Sequence, residues 1–464
     1  MIYFGSIIIY LILLIGVSLY RSKTVKTQVD FMVAGRKLGA GVLVGTLLVT
    51  WIGSGSIIAS AGLAYNKGIP ALWFDVGVWA AIIILYLIAG KVRLFAMYTV
   101  PDILEERYNK YARILGTITT IVAYTAIASY QFKAGGMILN LVTDIPTDLG
   151  ILITAVFVIG FTGISGLVSV AYTGVVNGIV MIVGIFVCIP FLLQRAGGFS
   201  EIVNALPKEH FHILGSMSFF EAIGYSLPTM LLLLGESNMY QRFFSAKDAK
   251  TAQKSVVGWL FGTIVIETVI VVIAIIGSSI FLDINPEMVI LHSARYGLPL
   301  IVGIALLAAA VSIVISTASS FLLVPSINII RDIYQRFINP NASQQRILIY
   351  SRITIILLGI FAIIQVKFFE TVLEMALYAY TMYGVSITPA TLAAFFWKRV
   401  TPSGGVSSIA GGMIVTLTWE ILQKPFNIAT VYPALFASLF LLIAVSLLTK
   451  PSDEKWKPFF RKGN

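Results

Sequence analysis

The sequence predicts an all-α polytopic membrane protein of about 13 transmembrane helices, folded as two five-helix halves of opposite orientation. Three observations predict it. Of 464 residues, 58% are hydrophobic and 11% charged, whereas a soluble chain carries roughly a quarter charged residues. Uncharged stretches of membrane-spanning length recur along the chain, and residues 151–194 hold no Asp, Glu, Lys or Arg, enough for two crossings. Two apolar spans, the second and the seventh, are interrupted near their centres by helix-breaking residues.

The predicted spans are 2–20, 40–65, 71–96, 112–143, 149–166, 169–194, 219–244, 252–281, 298–334, 346–366, 371–397, 404–423 and 431–449. Residues 1–20 lack a basic start and a small-residue cleavage site, and Arg21, Lys23 and Lys26 follow them, so they read as a retained helix and not a signal peptide. Residues 1–39 then form the first helix and a cytoplasmic loop, and 40–195 the first five-helix repeat. The extracellular connection 196–218 is long enough for a small surface helix, and 219–398 form the second, inverted repeat. Residues 399–464 supply two peripheral helices and a short cytoplasmic tail.

The net charge of +11 does not indicate nucleic-acid binding, because the basic residues are scattered through short connecting loops. With the N-terminus outside and the C-terminus inside, 24 of the 32 Lys and Arg fall in inside loops and 6 in outside loops. That is the asymmetry of the positive-inside rule, and it requires an odd number of helices. The lone Cys188 lies in an apolar run and excludes an internal disulfide or a cysteine metal cluster. His210, His212 and His292 fall between spans and suggest no metal site.

The first interruption is "GSGS" within "VTWIGSGSIIASAG", the second "GESN" at 235–238. Five spans separate them, so each half begins with a broken helix, and an odd repeat unit inverts the second half. Unwound backbone is tolerated at mid-membrane only where it lines a cavity, although glycines also allow close helix packing. A broken helix offers carbonyls to a cation and N–H groups to an anionic group. The ninth span adds hydroxyls in "SIVISTASS", where Ser312 and Ser316 share a face. Such hydroxyls otherwise bond the carbonyl four residues back.

These stretches resemble a known family. "FMVAGRKLGAGVLVGTLLVTWIGSGSIIASAGLAY", "GLVSVAYTGVVNGIVM", "VSIVISTASSFLLVPSINIIRDIY" and "PATLAAFFWKRVTPSGGVSSIAGGM" are similar, in order, to the signature segments of the sodium:solute symporter family. The resemblance implies a LeuT-type 5+5 inverted repeat and a sodium ion held by the carbonyls of Val49, Ile52 and Ile313 and the hydroxyls of Ser316 and Thr317. The family often has an acidic residue after the threonine of its "TD" pair; here Gly174 follows Thr173, so one sodium per substrate is expected.

"TWIGSG" and "GLVSVAYT" look most like the choline transporter branch, where a tryptophan at the position of Trp51 helps cage a quaternary ammonium. Trp51 otherwise serves as a packing or gating aromatic, and the tryptophan that completes that cage aligns near Glu236. Candidate solute contacts are Thr50, Trp51, Gly53, Ser54, Ser56, Lys133, Glu236, Asn238 and Tyr380. Lys133 and Glu236 lie near membrane depth, where charge must be paired or functional. They are expected to face the cavity, paired with each other or with the two ends of a zwitterion; a structural salt bridge is the alternative. Asp75 is expected to be hydrated at the outer end of the third span, and Glu267, Glu374 and Glu420 to lie at interface level. The resemblance implies that the helix carrying Tyr378, Tyr380 and Tyr383 is an outer gate, so one of them is expected to cap the solute; a core or interfacial tyrosine is the alternative.

The reading is a sodium-coupled symporter importing a small organic solute (an amino acid, a choline-like amine, a sugar or a carboxylate) by alternating access. It needs the lipid bilayer of the plasma membrane and no obligate protein partner. A proton-coupled transporter on the same fold, with a carboxylate such as Glu236 carrying the proton, and a membrane sensor or channel are the alternatives. An embedded enzyme or respiratory subunit would place histidines inside its helices, and this chain does not.

Overall fold

The computed structural model describes residues 2–22, 34–95, 99–451 and 454–460, with the side chains at 18, 19, 21, 22, 34, 95, 165–173 and 175 not described. The inside-loop cations Lys23, Lys26, Arg461 and Lys462, and the side chain of Thr173, therefore lie outside the described residues. The described chain is helical throughout, with one isolated bridge between Leu38 and Ala246.

In chain order the helices are α1 (Ile2–Ser22), α2 (Ala40–Trp51), α3 (Gly55–Lys67), α4 (Leu72–Phe95), α5 (Val100–Arg107), α6 (Lys110–Thr143) and α7 (Thr147–Arg195). There follow α8 (Phe219–Gly235), α9 (Ser237–Ser245), α10 (Ala249–Ile280), α11 (Leu300–Asn328, continued as a wider helical segment Ile329–Ile338), α12 (Gln344–Gln365), α13 (Val372–Phe396), α14 (Pro402–Ile421) and α15 (Val431–Leu448). The connection after α7 carries the small helix Phe199–Ala205 that its length allows.

The boundaries follow from capping chemistry. Asn109 accepts from the N–H groups of Tyr111 and Ala112 at the start of α6. Ser218 accepts from Glu221 at α8, Asp248 from Thr251 at α10, and Thr401 from Gly404 at α14. Thr371 and Glu374 form a reciprocal capping box at α13, which places Glu374 at an exposed helix start. Each cap satisfies donors that the first helical turn leaves open.

Among the described residues, eight helices are long and apolar enough to cross a membrane, nine when the bent pair α2–α3 counts as one. The two spans expected at 149–166 and 169–194 lie within one continuous helix of 49 residues. A straight helix of that length would be about 73 Å long, far more than a bilayer core of about 30 Å. Its two segments long and apolar enough to cross are Thr147–Ile164 and Val176–Arg195.

Burial separates central from peripheral helices. The apolar windows of α6 and α11 are 72% buried, that of α15 only 28%. Helix α11 packs on α6 and α7, and α8 on α4 and α13, so both breaks face the middle of the bundle.

An ionic network ties α5, α6 and the continuation of α11 together. Arg113 pairs with Asp102, Glu105 and Asp332, the last at 2.8 Å, and Arg336 joins Glu105 at 2.9 Å. Burial alone would raise the Glu105 carboxyl, but the hydrogen bonds and charges of Arg336 and Arg113 hold it below the usual carboxylate range. Arg107 donates to the carbonyls of Lys398 and Val400, both at 3.0 Å, and so fixes α5 to the α13–α14 turn.

Candidate functional site

The first break opens over Ile52–Ser54, and α2 and α3 meet at 53°. The Ile52 N–H still reaches Leu48, but the helix then stops. Ile52 itself is extended, at φ −66° and ψ 99°. The freed carbonyls meet α11: the Thr317 hydroxyl donates to Val49 and to Ile52, each at 3.4 Å. Ser316 and Ile313 lie on the same helix and are buried, at 4% and 0% exposure. Three of the five expected sodium donors thus converge directly, and the other two are their helical neighbours.

On the other side of the break the Ser54 N–H donates to Gln131 Oε1 at 3.1 Å. Gly55 leaves room for Tyr380: a β-carbon there would collide with the Tyr380 hydroxyl. Tyr380 bonds Tyr130 through their hydroxyls at 2.9 Å. The rings of Trp51 and Phe74 lie 6.2 and 6.1 Å from that of Tyr380. Ser54 and Ser56 are buried beside this group, and Ser54 Oγ has no partner.

The second break is narrower than "GESN" suggested. α8 ends at Gly235, Glu236 alone is extended, and α9 begins at Ser237. Tyr383 staples it, donating to the Gly235 carbonyl at 2.8 Å and accepting from the Ser237 N–H at 3.2 Å. Glu236 is fully buried; its Oε1 accepts from Asn238 Nδ2 at 3.2 Å, and its Oε2 has no partner.

Arg242, at 1% exposure, links the two breaks to α11. It donates to the Asn238 carbonyl at 2.9 Å, to Thr50 Oγ1, and to Ser320 Oγ at 3.2 Å. Thr50 is therefore turned to Arg242.

Three expectations for charged residues are corrected. Lys133 does not meet Glu236: it donates to the carbonyls of Phe369, at 3.4 Å, and of Glu370. Gln131, two residues earlier and on the opposite side of α6, reaches the break instead. Asp75 is not exposed at the outer end of its span; it is 1% exposed, with Oδ2 accepting from Ser60 Oγ at 3.0 Å. Glu267 is not at an interface either. It is 1% exposed, and its two oxygens accept from Trp51 Nε1 at 2.9 Å and Trp79 Nε1 at 2.7 Å.

Glu420, in contrast, does lie at the periphery, bonded to the Thr430 hydroxyl at 2.6 Å and to Lys424 at 3.6 Å. Gly174 lies against Thr46 and brings no carboxylate. Sequence reasoning did not single out Gln131, Tyr130 or Arg242. The available signal was polar and aromatic side chains in otherwise apolar spans.

Two discontinuous helices facing a hydroxyl-bearing helix define the centre of a coupled secondary transporter. Residues 31–412 match the pattern of the sodium:solute symporter family, and the chain belongs to that family. It is a membrane transporter and not an enzyme. Its relatives include the osmoregulated proline transporter OpuE of Bacillus subtilis, 24% identical with 98% of this chain and 96% of the relative covered. The high-affinity proline transporter PutP of the same organism is 25% identical, with coverage of 95% and 97%. Among solved structures, a Na+-coupled sialic acid symporter in a substrate-bound outward-open state superposes with a TM-score of 0.83, at 17% identity and 97% and 98% coverage. MhsT in complex with L-phenylalanine gives 0.54, at 16% identity and 88% and 97% coverage.

Proposed function

We propose that the protein imports a small organic solute together with one sodium ion, the ion at the first break and the solute between the two breaks. The sodium donors are the carbonyls of Val49, Ile52 and Ile313 and the hydroxyls of Ser316 and Thr317. The observation that carries this is the Thr317 hydroxyl bridging the Val49 and Ile52 carbonyls, at 3.4 Å each. A hard cation takes oxygen donors, and this set joins two separate helices without adding a charged side chain.

An ion at that point ties α11 to α2, and its loss to the cytoplasm separates them. Binding energy thereby shifts the population between outward and inward states. The solute wall is formed by Trp51, Gly53, Ser54, Ser56, Glu236, Asn238 and Tyr380, joined by Tyr130, Gln131 and Tyr383. The paired breaks support the division into inverted repeats, 40–195 and 219–398, and the loop charges support an external N-terminus, a cytoplasmic C-terminus, 13 spans and a plasma-membrane location.

The test needs no solute. Sodium chloride should raise the melting temperature of the purified protein where potassium chloride does not. In Thr317→Ala the midpoint sodium concentration should rise about tenfold or more, since a hydrogen-bonding group on a charge contributes about 1.5–3 kcal/mol. An unchanged midpoint would remove sodium from this site. A shift driven by acid instead of sodium would favour proton coupling.

A further inference from the structure

Three polar side chains beside the first break have no part in the proposed ion and solute contacts: Asp75 and Trp79 on α4, and Glu267 on α10. Helix α10 packs against α4 and against both α2 and α3. Apolar contacts are non-directional, so they do not by themselves fix the 53° angle at which α2 and α3 meet. Hydrogen bonds are directional, and these three residues supply them.

The α3 half is tied through Ser60, whose hydroxyl donates to Asp75 Oδ2 at 3.0 Å. The α2 half is tied through Trp51, whose Nε1 donates to Glu267 Oε1 at 2.9 Å. The other oxygen of that carboxyl accepts from Trp79 Nε1 at 2.7 Å. Asp75 and Trp79 stand four residues apart, on one face of α4. Both halves of the broken helix are thus fastened to that face, α3 directly and α2 through Glu267.

Trp51 is the last residue of α2, so no further turn holds it. Its neighbours Val49 and Ile52 present the carbonyls that Thr317 meets. A carboxyl suits the position of Glu267 because each of its oxygens can accept a hydrogen bond, with or without a proton. An amide would turn a donor toward one of the two indole N–H groups.

We infer that Glu267 is a positioning residue for the sodium site. By accepting from Trp51 and Trp79 it holds the end of α2, and with it the Val49 and Ile52 carbonyls, in the ion-binding arrangement. Glu267 acts through Trp51 and is not one of the ion's donors. The inference rests on the sodium reading above and adds to it a residue outside the donor set.

The experiment is a melting-temperature titration of the full-length protein with sodium chloride, with potassium chloride as control. Glu267→Leu removes both acceptors and should raise the midpoint sodium concentration about fivefold, the worth of one hydrogen bond. Glu267→Gln combined with Trp79→Phe leaves an acceptor for Trp51 and no indole facing the amide nitrogen. Its midpoint should return to within about twofold of the unmodified protein. Leucine and glutamine are both uncharged, so this recovery separates a tether on Trp51 from attraction between a carboxylate and the cation.

An unchanged midpoint in Glu267→Leu overturns the inference, even where the melting temperature without sodium falls, because that is a packing role. A double variant as weak as Glu267→Leu overturns it as well. If Glu267→Leu does not fold, Trp51→Phe takes its place, since it removes the same bond and leaves Glu267 with Trp79. The same rise is then expected, and an unchanged midpoint overturns the inference. Absence of any sodium shift in the unmodified protein is a distinct result: it overturns the sodium reading, and the inference with it.

Discussion

At the first break the chain opens over Ile52–Ser54 beside two glycines, and at the second it opens over Glu236 alone. The first uses neutral groups: carbonyls of Val49 and Ile52 toward Thr317, and an N–H of Ser54 toward Gln131. The second puts a carboxylate in the gap and a guanidinium six residues later, and closes the backbone with a tyrosine hydroxyl. On the proposed reading, the difference lets one bilayer core hold two kinds of ligand. A bare ion needs oxygens but brings its own charge, so uncharged carbonyls suffice. At the second break the polar groups are side chains: Glu236 accepts from Asn238 Nδ2, and Arg242 donates to the Asn238 carbonyl.

The comparison breaks most severely at Gly55. A valine there places its side chain against the Tyr380 hydroxyl and forces α3 away from α13. Overpacking of this kind costs about 1–3 kcal/mol. Uptake, under a sodium gradient, of a solute that raises the melting temperature should fall by about ten- to a hundredfold. Near-normal uptake would mean that the close approach of Tyr380 is not needed for transport.

Tyr383→Phe tests the second break alone. It removes the hydroxyl that bonds the Gly235 carbonyl and the Ser237 N–H. At about 1 kcal/mol for each bond, solute affinity should drop about tenfold or more while the sodium midpoint without solute moves less than twofold. Equal losses in both would show that the breaks are one unit and not two.

The smallest effect is expected outside the breaks, at Glu105. Its carboxyl is held below the ordinary value by Arg336 and Arg113 against the opposing effect of burial. The stabilisation is therefore complete above the ordinary glutamate pKa of about 4.3 and is lost as pH falls through the depressed value. Glu105→Gln should lower the melting temperature at pH 7 by a few degrees, for an ion pair worth about 1 kcal/mol. It should also flatten the fall below pH 4.3 or so. An acid limb identical to that of the unmodified protein would show that this network does not set acid stability.

Span positions were legible because hydropathy is a local property. The helix predicted at 371–397 is observed at Val372–Phe396, and that at 431–449 at Val431–Leu448. The first break was legible because glycines and serines were concentrated in it, and the hydroxyls of α11 because they interrupt an apolar run. The errors concern direction. Lys133 and Gln131 stand two residues apart on α6, and nothing in a helix with apolar residues on every face indicates which side meets a neighbour. Asp75 was placed by its distance from a helix end, but α3 covers it and Ser60 bonds it.

The sequence by itself determined where the apolar helices run, where two of them are interrupted, and which family's motifs it carries. These depend on residue type and spacing within one segment. Only the tertiary structure decided that Glu267 lies between Trp51 and Trp79, that Arg242 reaches Thr50 and Ser320, and that Tyr380 stands among Trp51, Phe74 and Tyr130. In a membrane bundle both lipid and protein neighbours are apolar, so hydropathy marks depth and not facing. Which buried charge meets which ring is fixed by helix rotation and crossing, and those arise only when all the helices pack together.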